Sequence, residues 1–221
     1  MDDLYQENKT WQGFTRSQRI YLPFKRLFDI VFSLIALVVF SPLFLVVAVA
    51  VKVDSRGPVF YVQKARVGKD GKLFPMYKFR SMINKADEMK ESLKHLNEME
   101  GPVFKLKNDP RLTKVGRFIR KYSIDEMPQF VNVLLGHMSI VGPRPFLETE
   151  IEESTCGRHR IHSKVRPGLT CVWAVNGRSN APSFEQRMSM DMEYVGRFDP
   201  MLDFVIVCKT IPVVFSGDGA S

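Results

Sequence analysis

Ile30 to Val51, IVFSLIALVVFSPLFLVVAVAV, runs for 22 residues without a charge, and only Ser33, Ser41 and Pro42 interrupt its apolar character. At about 1.5 Å per residue, a straight helix of that length would cover a bilayer core of about 30 Å, so the stretch reads as a membrane element. It is too long and begins too late for the apolar core of a signal peptide, and no small-residue cleavage pattern follows before Lys52. Pro42 has no N–H to donate and its ring collides with the preceding turn, which predicts a break at Ser41-Pro42. Each resulting arm has about ten apolar residues and is too short to cross alone. Arg16, Arg19, Lys25 and Arg26 precede the segment, and Lys52, Arg56, Lys64 and Arg66 follow it. Because basic flanks favour the cytoplasmic side, a re-entrant helix that dips in, bends and returns satisfies both ends. A spanning helix with a tolerated proline is the alternative that the pattern leaves open.

Around this segment lie 221 residues with 45% hydrophobic content and 11% aromatics, enough for one domain with a core and too few for two full ones. That composition excludes a disordered, collagenous or low-complexity chain. Cys156, Cys171 and Cys208 form no CxxC pair and leave an odd count, so neither a disulfide framework nor a zinc site is written here, and a reducing compartment is expected. The net charge of +8 is clustered: eight Lys or Arg lie between Lys52 and Arg80, five between Arg111 and Lys121, and five between Thr155 and Arg178. Such clusters suit an anionic partner, whether nucleic acid, lipid head group or phosphorylated substrate; a solvated basic face is the plainer reading of each.

Past the membrane segment the pattern predicts an α+β fold, mostly helical, with one small hairpin. Val59 to Val67 and Leu73 to Phe79 read as strands joined by a turn at Asp70-Gly71. Met82, Ile83, Ala86, Met89, Leu93 and Leu96 recur at helical spacing, predicting a helix from about Ser81 to Glu98. A short helix with a basic face is expected around Val115, Phe118 and Ile119, and another over Phe130 to Leu135 that Gly136 ends. Ser183 with Gln186 forms a capping box for a helix to about Arg197. Asp199-Pro200 opens a last helix, Met201 to Phe215, whose apolar surface suits either the core or a membrane interface.

No P-loop, GxGxxG, HExxH or DxD is present. His159 and His162 lack a nearby third metal ligand, and His95 falls on a surface pattern. The strongest candidate for chemistry is Ser123 to Gln129, SIDEMPQ. Ser-x-x-Glu also spells a capping box, and Pro128 suits a first turn if Asp125 is the cap but not if Ser123 is, so capping alone leaves the roles open. Adjacent carboxylates beside Arg120 and Lys121 also suit phosphoryl chemistry, one acid binding metal or attacking phosphorus while the other handles a proton.

Lys25 to Asp29 (KRLFD), Lys78 to Met82 (KFRSM), Asn108 to Arg111 (NDPR), SIDEMPQ, Gly142 to Pro145 (GPRP) and Arg166 to Thr170 (RPGLT) occur in order. Together they resemble the monotopic phosphoglycosyl transferases of bacteria, the sugar transferases that begin polysaccharide and glycoconjugate assembly, in their small catalytic form. The resemblance implies transfer of a sugar 1-phosphate from a UDP-sugar to undecaprenyl phosphate, with release of UMP, through a covalent aspartyl phosphosugar intermediate and with Mg2+. By position it makes Asp125 the nucleophile and a metal ligand, with Glu126 as its partner. It places Arg120, Arg144 and Arg178 on phosphate, and Lys78 and Arg166 less firmly so. It also carries the helix broken at Ser41-Pro42, and a site on the cytoplasmic face of the bacterial inner membrane serving exopolysaccharide or capsule synthesis. Ala174, where many members carry Gln, and Gly196 to Asp199 depart from the family pattern and leave the sugar open.

The resulting organisation is a basic N-terminal segment over 1–22, a re-entrant membrane helix over 23–54 and a cytoplasmic catalytic region over 55–221 that forms one domain with the helix. Expected partners are UDP-sugar, undecaprenyl phosphate and membrane lipids, with a homo-oligomer also compatible. Nucleic acid is not among them, because no recognition motif accompanies the basic patches. A non-catalytic membrane scaffold or anion-binding protein is the competing class, and it would make Asp125 and Glu126 mere caps. The topology is checked by placing single cysteines near residues 20 and 56 of a cysteine-free variant in intact cells. Both should resist a membrane-impermeant thiol reagent; labelling of one alone would indicate a spanning helix.

Overall fold

The computed structural model describes residues 13–93, 95, 97, 106, 108–152, 162–176 and 184–216. Expectations placed on residues 1–12, Leu96, Glu98, Cys156, His159, Arg178 and Ser183 lie outside them. The architecture is α+β, mostly helical, with two small sheets.

The first helix, α1 (Arg16–Val39), starts ahead of Pro23 because Thr15 caps it: Gln18 N–H donates to Thr15 Oγ1 at 3.2 Å, and Thr15 N–H donates to Gln18 Oε1 at 3.0 Å. Its buried residues are Gln18, Lys25, Asp29, Ser33 and Ala36, whereas Phe24, Leu27, Phe28, Val31, Ile35 and Val38 are exposed. This inverts the pattern of a helix on a water-soluble protein, which buries its apolar stripe. Leu45, Val46 and Val49 of α2 (Ser41–Asp54) are exposed in the same way.

At the break Phe40 leaves helical geometry, Ser41 Oγ donates to Val38 O at 2.8 Å, and Pro42 occupies the first turn of α2, where a missing N–H costs nothing. The two helices are bent by 61°. Among the described residues no single helix is long and apolar enough to cross a membrane, while the bent pair has the length and composition together. At the far end of α2, Arg80 donates to the carbonyls of Ser55 and Arg56 at 2.7 and 2.6 Å, and Asp54 accepts from Val115 N–H at 2.9 Å. Charged side chains thus fasten the end of the apolar segment to the folded region.

Strands β1 (Phe60–Val67) and β2 (Leu73–Phe79) form the expected antiparallel hairpin. Its turn places Asp70 at φ 57° and Gly71 at φ 76°, conformations that Asp-Gly accepts readily. A bulge between Gln63 and Arg66 shifts the register.

The helix expected over Ser81 to Glu98 is not formed. Residues 81–83 spend their backbone on a strand-like pairing: Ile83 N–H donates to Arg111 O at 2.9 Å and Thr113 N–H to Ser81 O at 3.1 Å. Lys85 at φ 65° then blocks helical propagation, and among the described residues of this range only α3 (Lys90–Leu93) is α-helical. The pairing is fixed from the other side by Asp109, which accepts from Arg111 Nε at 2.9 Å and from Arg111 Nη2 at 2.6 Å. The helical spacing of Met82, Ile83 and Ala86 was a coincidence of an apolar segment that packs as irregular chain.

Thr113 caps α4 (Lys114–Lys121), a 3₁₀ turn covers Ile124–Glu126, and α5 (Gln129–Leu134) stops before Gly136 at φ 82°. Strands β3 (Ser139–Val141) and β4 (Gly168–Thr170) pair in parallel, separated in sequence by α6 (Glu148–Glu152). Gly142 and Gly168 meet backbone to backbone, so that a Cβ on either would collide with the other segment. The short α7 (Val172–Val175), α8 (Phe184–Arg197) and α9 (Pro200–Ser216) follow, and Asp199 caps α9 by accepting from Leu202 N–H at 2.8 Å. Met201, Phe204, Ile211 and Phe215 leave α9 apolar on its open side.

The main core joins Ala36 of α1 to Phe74, Met76, Phe130, Val133, Ile140, Val195 and Phe198, and a second one joins Val47 and Val51 of α2 to Phe79 and Ile119. The polar stripe of α1 faces the same interior. Asp203 accepts from Lys25 Nζ, from Tyr21 Oη at 2.8 Å and from Tyr194 Oη at 2.7 Å. Arg26 donates to the carbonyls of Val133 and Leu134 at the end of α5, and Asp29 accepts from Ile140 N–H at 2.9 Å. Removing one partner of such a buried pair strands the other charge. Asp203→Ala should therefore cost about 3–5 kcal/mol, read as a lowered thermal midpoint in detergent, while Asp203→Asn, which still accepts from one tyrosine and can donate its amide N–H to the other's hydroxyl oxygen, should lose less. An Asp203→Ala protein that melts like the wild type would show that the network carries no stability.

Candidate functional site

The carboxylate pair sits where α4 stops. Ser123 adopts φ 55° and turns the chain, and the hydrogen bonds Glu126 N–H to Ser123 O and Met127 N–H to Ile124 O close the 3₁₀ turn at 3.1 and 3.2 Å. Pro128 is the residue that opens α5, so the side chains of Ser123 and Asp125 cap neither helix. Both capping assignments that the sequence left open fail. Asp125 is nevertheless only 5% exposed, and among the described residues no other side chain hydrogen-bonds to it. Burial, then the charge of Glu126, push its carboxyl up to about 6, against the pull of Lys78 and Arg120. A buried acid held without a structural task is costly to the fold and is where chemistry is expected.

Lys78, from the last turn of the hairpin's second strand, reaches Glu126 Oε1 at 2.7 Å. Arg120 donates from Nε to Ser81 Oγ at 3.0 Å, and its charge acts on Asp125. The structure therefore brings Asp125, Glu126, Lys78 and Arg120 together. Arg144 stands on the Gly142–Pro145 loop, which is held by Gly142 N–H to Thr170 O at 3.1 Å and by Arg66 Nη1 to Pro145 O at 2.6 Å. Arg66 links the two sides of the site. It is buried, its pKa is lowered to about 10 first by that burial and then by the Arg144 charge, and Glu126 acts on it in the opposite sense.

Arg166 is placed elsewhere. Its Nε donates to Gly136 O at 2.8 Å, and the residue lines a small cavity with Lys25, Arg26, Asp29 and Tyr194 at the junction with α1. Ser41 and Pro42 are at the helix bend, and Arg178 lies outside the described residues. Residues that sequence reasoning passed over are Arg66, which it counted only as a flanking charge, and Trp173, Arg187 and Asp191. Asp191 carried one signal: an acid flanked by methionines, in register with Met188 and Val195 on the buried face of a helix. His162, weighed as a metal ligand, instead meets Asp191 Oδ2 at 3.1 Å.

No group of three or more His, Cys, Asp or Glu side chains that could hold a metal occurs among the described residues. Asp125 and Glu126 alone offer carboxylate oxygens that crowd one another, a condition a divalent cation relieves. Such a donor set fits magnesium, which is commonly held by one or two carboxylates together with water and substrate phosphate, and does not fit zinc.

The model of the family described as bacterial sugar transferase matches residues 20–217. The chain is 42% identical over 200 residues to the exopolysaccharide production protein ExoY of Rhizobium meliloti, covering 89% of this chain and 87% of that protein. It is 45% identical over 201 residues to an undecaprenyl-phosphate galactose phosphotransferase of Salmonella typhimurium, covering 89% of this chain and 41% of that protein. With a UDP-glucose:undecaprenyl-phosphate glucose-1-phosphate transferase of Klebsiella pneumoniae it shares 39% identity over 198 residues, covering 87% of this chain and 40% of that protein. It thus spans most of the first relative and less than half of the other two.

The raised Asp125 carboxyl has a measurable consequence for the fold. Because its value in the folded chain, about 6, lies above the ordinary 3.8, ionising it destabilises the native state. That penalty is absent below about pH 3.8, grows as pH rises through the window and is complete above about pH 6. Asp125→Asn, melted in metal-free detergent buffer, should therefore be more stable than the wild type at pH 7.5, with the gain vanishing near pH 4. Equal midpoints at both pH values would contradict a buried, ionised Asp125.

Proposed function

The chain belongs to the bacterial sugar transferase family, and we propose on that premise that it transfers a sugar 1-phosphate from a UDP-sugar to undecaprenyl phosphate. The observation that carries this reading is Asp125 itself, buried beside Glu126 and Lys78 with no cap to make. A membrane scaffold would need that acid as a cap, and the local geometry gives it none. The activities for which the Salmonella and Klebsiella relatives are named support the substrate classes.

In the first half-reaction an Asp125 carboxylate oxygen attacks the phosphorus that bears the sugar. The new carboxyl–phosphate bond forms as the bond to the bridging diphosphate oxygen breaks, and UMP leaves with that oxygen. In the second, an oxygen of undecaprenyl phosphate attacks the same phosphorus, the carboxyl–phosphate bond breaks, and the lipid-diphosphate sugar departs as Asp125 regains its charge. Above about pH 6 Asp125 is ionised, and its burial leaves that charge poorly hydrated, which favours attack. Lys78 offsets the Glu126 charge, so that two acids and a diphosphate can occupy one site. Glu126 holds or passes a proton at the phosphate oxygens in this reading. Arg120 and Arg144 offer forked N–H donors to phosphate, a role that extends to Arg178 by its place in the motif. Magnesium held by Asp125 and Glu126 would supply positive charge to the phosphate oxygens during transfer.

The bent α1–α2 pair supports a re-entrant anchor that keeps both flanks on the cytoplasmic side, where a nucleotide sugar is available. The hydrogen-bonded end of α2 next to Val115 then holds the carboxylate turn close to the membrane surface that the lipid phosphate occupies.

UDP-sugar and magnesium without lipid should release about one UMP per active site and leave a hydroxylamine-sensitive phosphosugar on the protein. Asp125→Asn should fold and release none, and a panel of UDP-sugars with undecaprenyl phosphate identifies the sugar. A folded Asp125→Asn protein with wild-type turnover would remove Asp125 from the mechanism.

A further inference from the structure

Asp191 is 0% exposed, one turn beyond Arg187 on α8 and set among Met188 and Val195, where an unanswered carboxylate would be costly. Two donors answer it at the same oxygen: the main-chain N–H of Arg144 at 3.0 Å, and His162 Nε2 at 3.1 Å. His162 is itself 4% exposed and packs its ring on Phe146, centroid to centroid at 5.0 Å. Pro143 and Pro145 flank Arg144 and have no N–H, so the Arg144 amide is the single main-chain donor by which this stretch can be held. Asp191 takes that donor.

The same face of α8 also steadies the Arg144 side chain. The Arg144 guanidinium stacks over Trp173 at 5.3 Å, and that of Arg187 lies over the same ring at 5.0 Å. Among the described residues the Arg144 guanidinium makes no hydrogen bond, and its Nε is buried without a partner. Arg144 is therefore fixed through its backbone and its stacking plane, while its hydrogen-bonding capacity is left to a ligand. We propose that Asp191, steadied by His162, is a positioning residue that holds Arg144 in the orientation in which it receives the phosphates of the nucleotide donor. The inference rests on the reading of Arg144 as a phosphate-holding residue.

The test uses the full chain in detergent, with UMP release measured against UDP-sugar in the presence of undecaprenyl phosphate. Asp191→Leu should raise KM for the donor about 10- to 100-fold, the loss of a buried hydrogen bond to a charged acceptor, with little change in kcat. Asp191→Asn, which keeps one oxygen at the position that both the Arg144 N–H and His162 Nε2 meet, should recover most of the affinity. In an Arg144→Ala background, Asp191→Leu should add almost nothing, because both variants remove the same contact. A folded Asp191→Leu protein with wild-type KM, or one whose penalty multiplies fully with that of Arg144→Ala, overturns the proposal while leaving the phosphate role of Arg144 intact. An unchanged KM in Arg144→Ala alone would overturn that role and the inference with it. If Asp191→Leu does not fold, His162→Phe decides: a raised KM at unchanged kcat supports the latch, and an unchanged KM overturns it.

Discussion

Asp203 gathers Lys25, Tyr21 and Tyr194 onto one buried carboxylate, and this is the constraint to which the rest of the fold is referred. A helix that turns its apolar face outward gains nothing from that face by folding in water; what holds it inward must be polar. Lys25, Arg26 and Asp29 do so in three directions, toward α9, toward the last carbonyls of α5 and toward the first residues of β3. Helix α5 follows directly on the Asp125 turn, and β3 leads directly into the Arg144 loop. The two halves of the site are thus both measured off the same helix, and their relative placement rests on a handful of buried charges.

Some of this was legible from the sequence because its causes are local. Asp70-Gly71 between alternating strands, the Pro42 break and the Asp199-Pro200 start of α9 each depend on neighbours within a few residues, and each element lies where the pattern places it. Ser81 to Glu98 misled for the opposite reason: its backbone is claimed by Arg111 and Thr113, and helical periodicity carries no information about a distant strand partner. Asp125 stood out as a candidate, yet whether it capped a helix hinged on the φ of Ser123, which the sequence does not reveal. Arg66 and Asp191 were invisible as site residues because their roles arise from Pro145 and Arg144, far away in the chain. Arg166 belongs to the same lesson, since its motif gave no sign of the Gly136 carbonyl to which its Nε donates.

Several arginines divide along a line that composition cannot draw. Arg80 and Arg111 are consumed by carbonyls and by Asp109, and they act as fasteners whose charge is largely spent. Arg120, in the same basic cluster as Arg111, and Arg144, which lies outside the clusters, keep much of their donor capacity. Clustering of positive charge thus announces an anionic partner, while burial and hydrogen-bond accounting decide which members can meet it.

The Lys25–Asp203 contact joins residues 178 positions apart. At synthesis rates of about 5–20 residues per second, the amine of Lys25 is made roughly 10–35 s before its carboxylate exists. During that interval α1 and α2 can enter the lipid, but the inward stripe of α1 has no protein to meet. On the proposed re-entrant reading, insertion of the anchor and closure of the domain are therefore separate events in time, and α9 completes the seat of a helix made well before it.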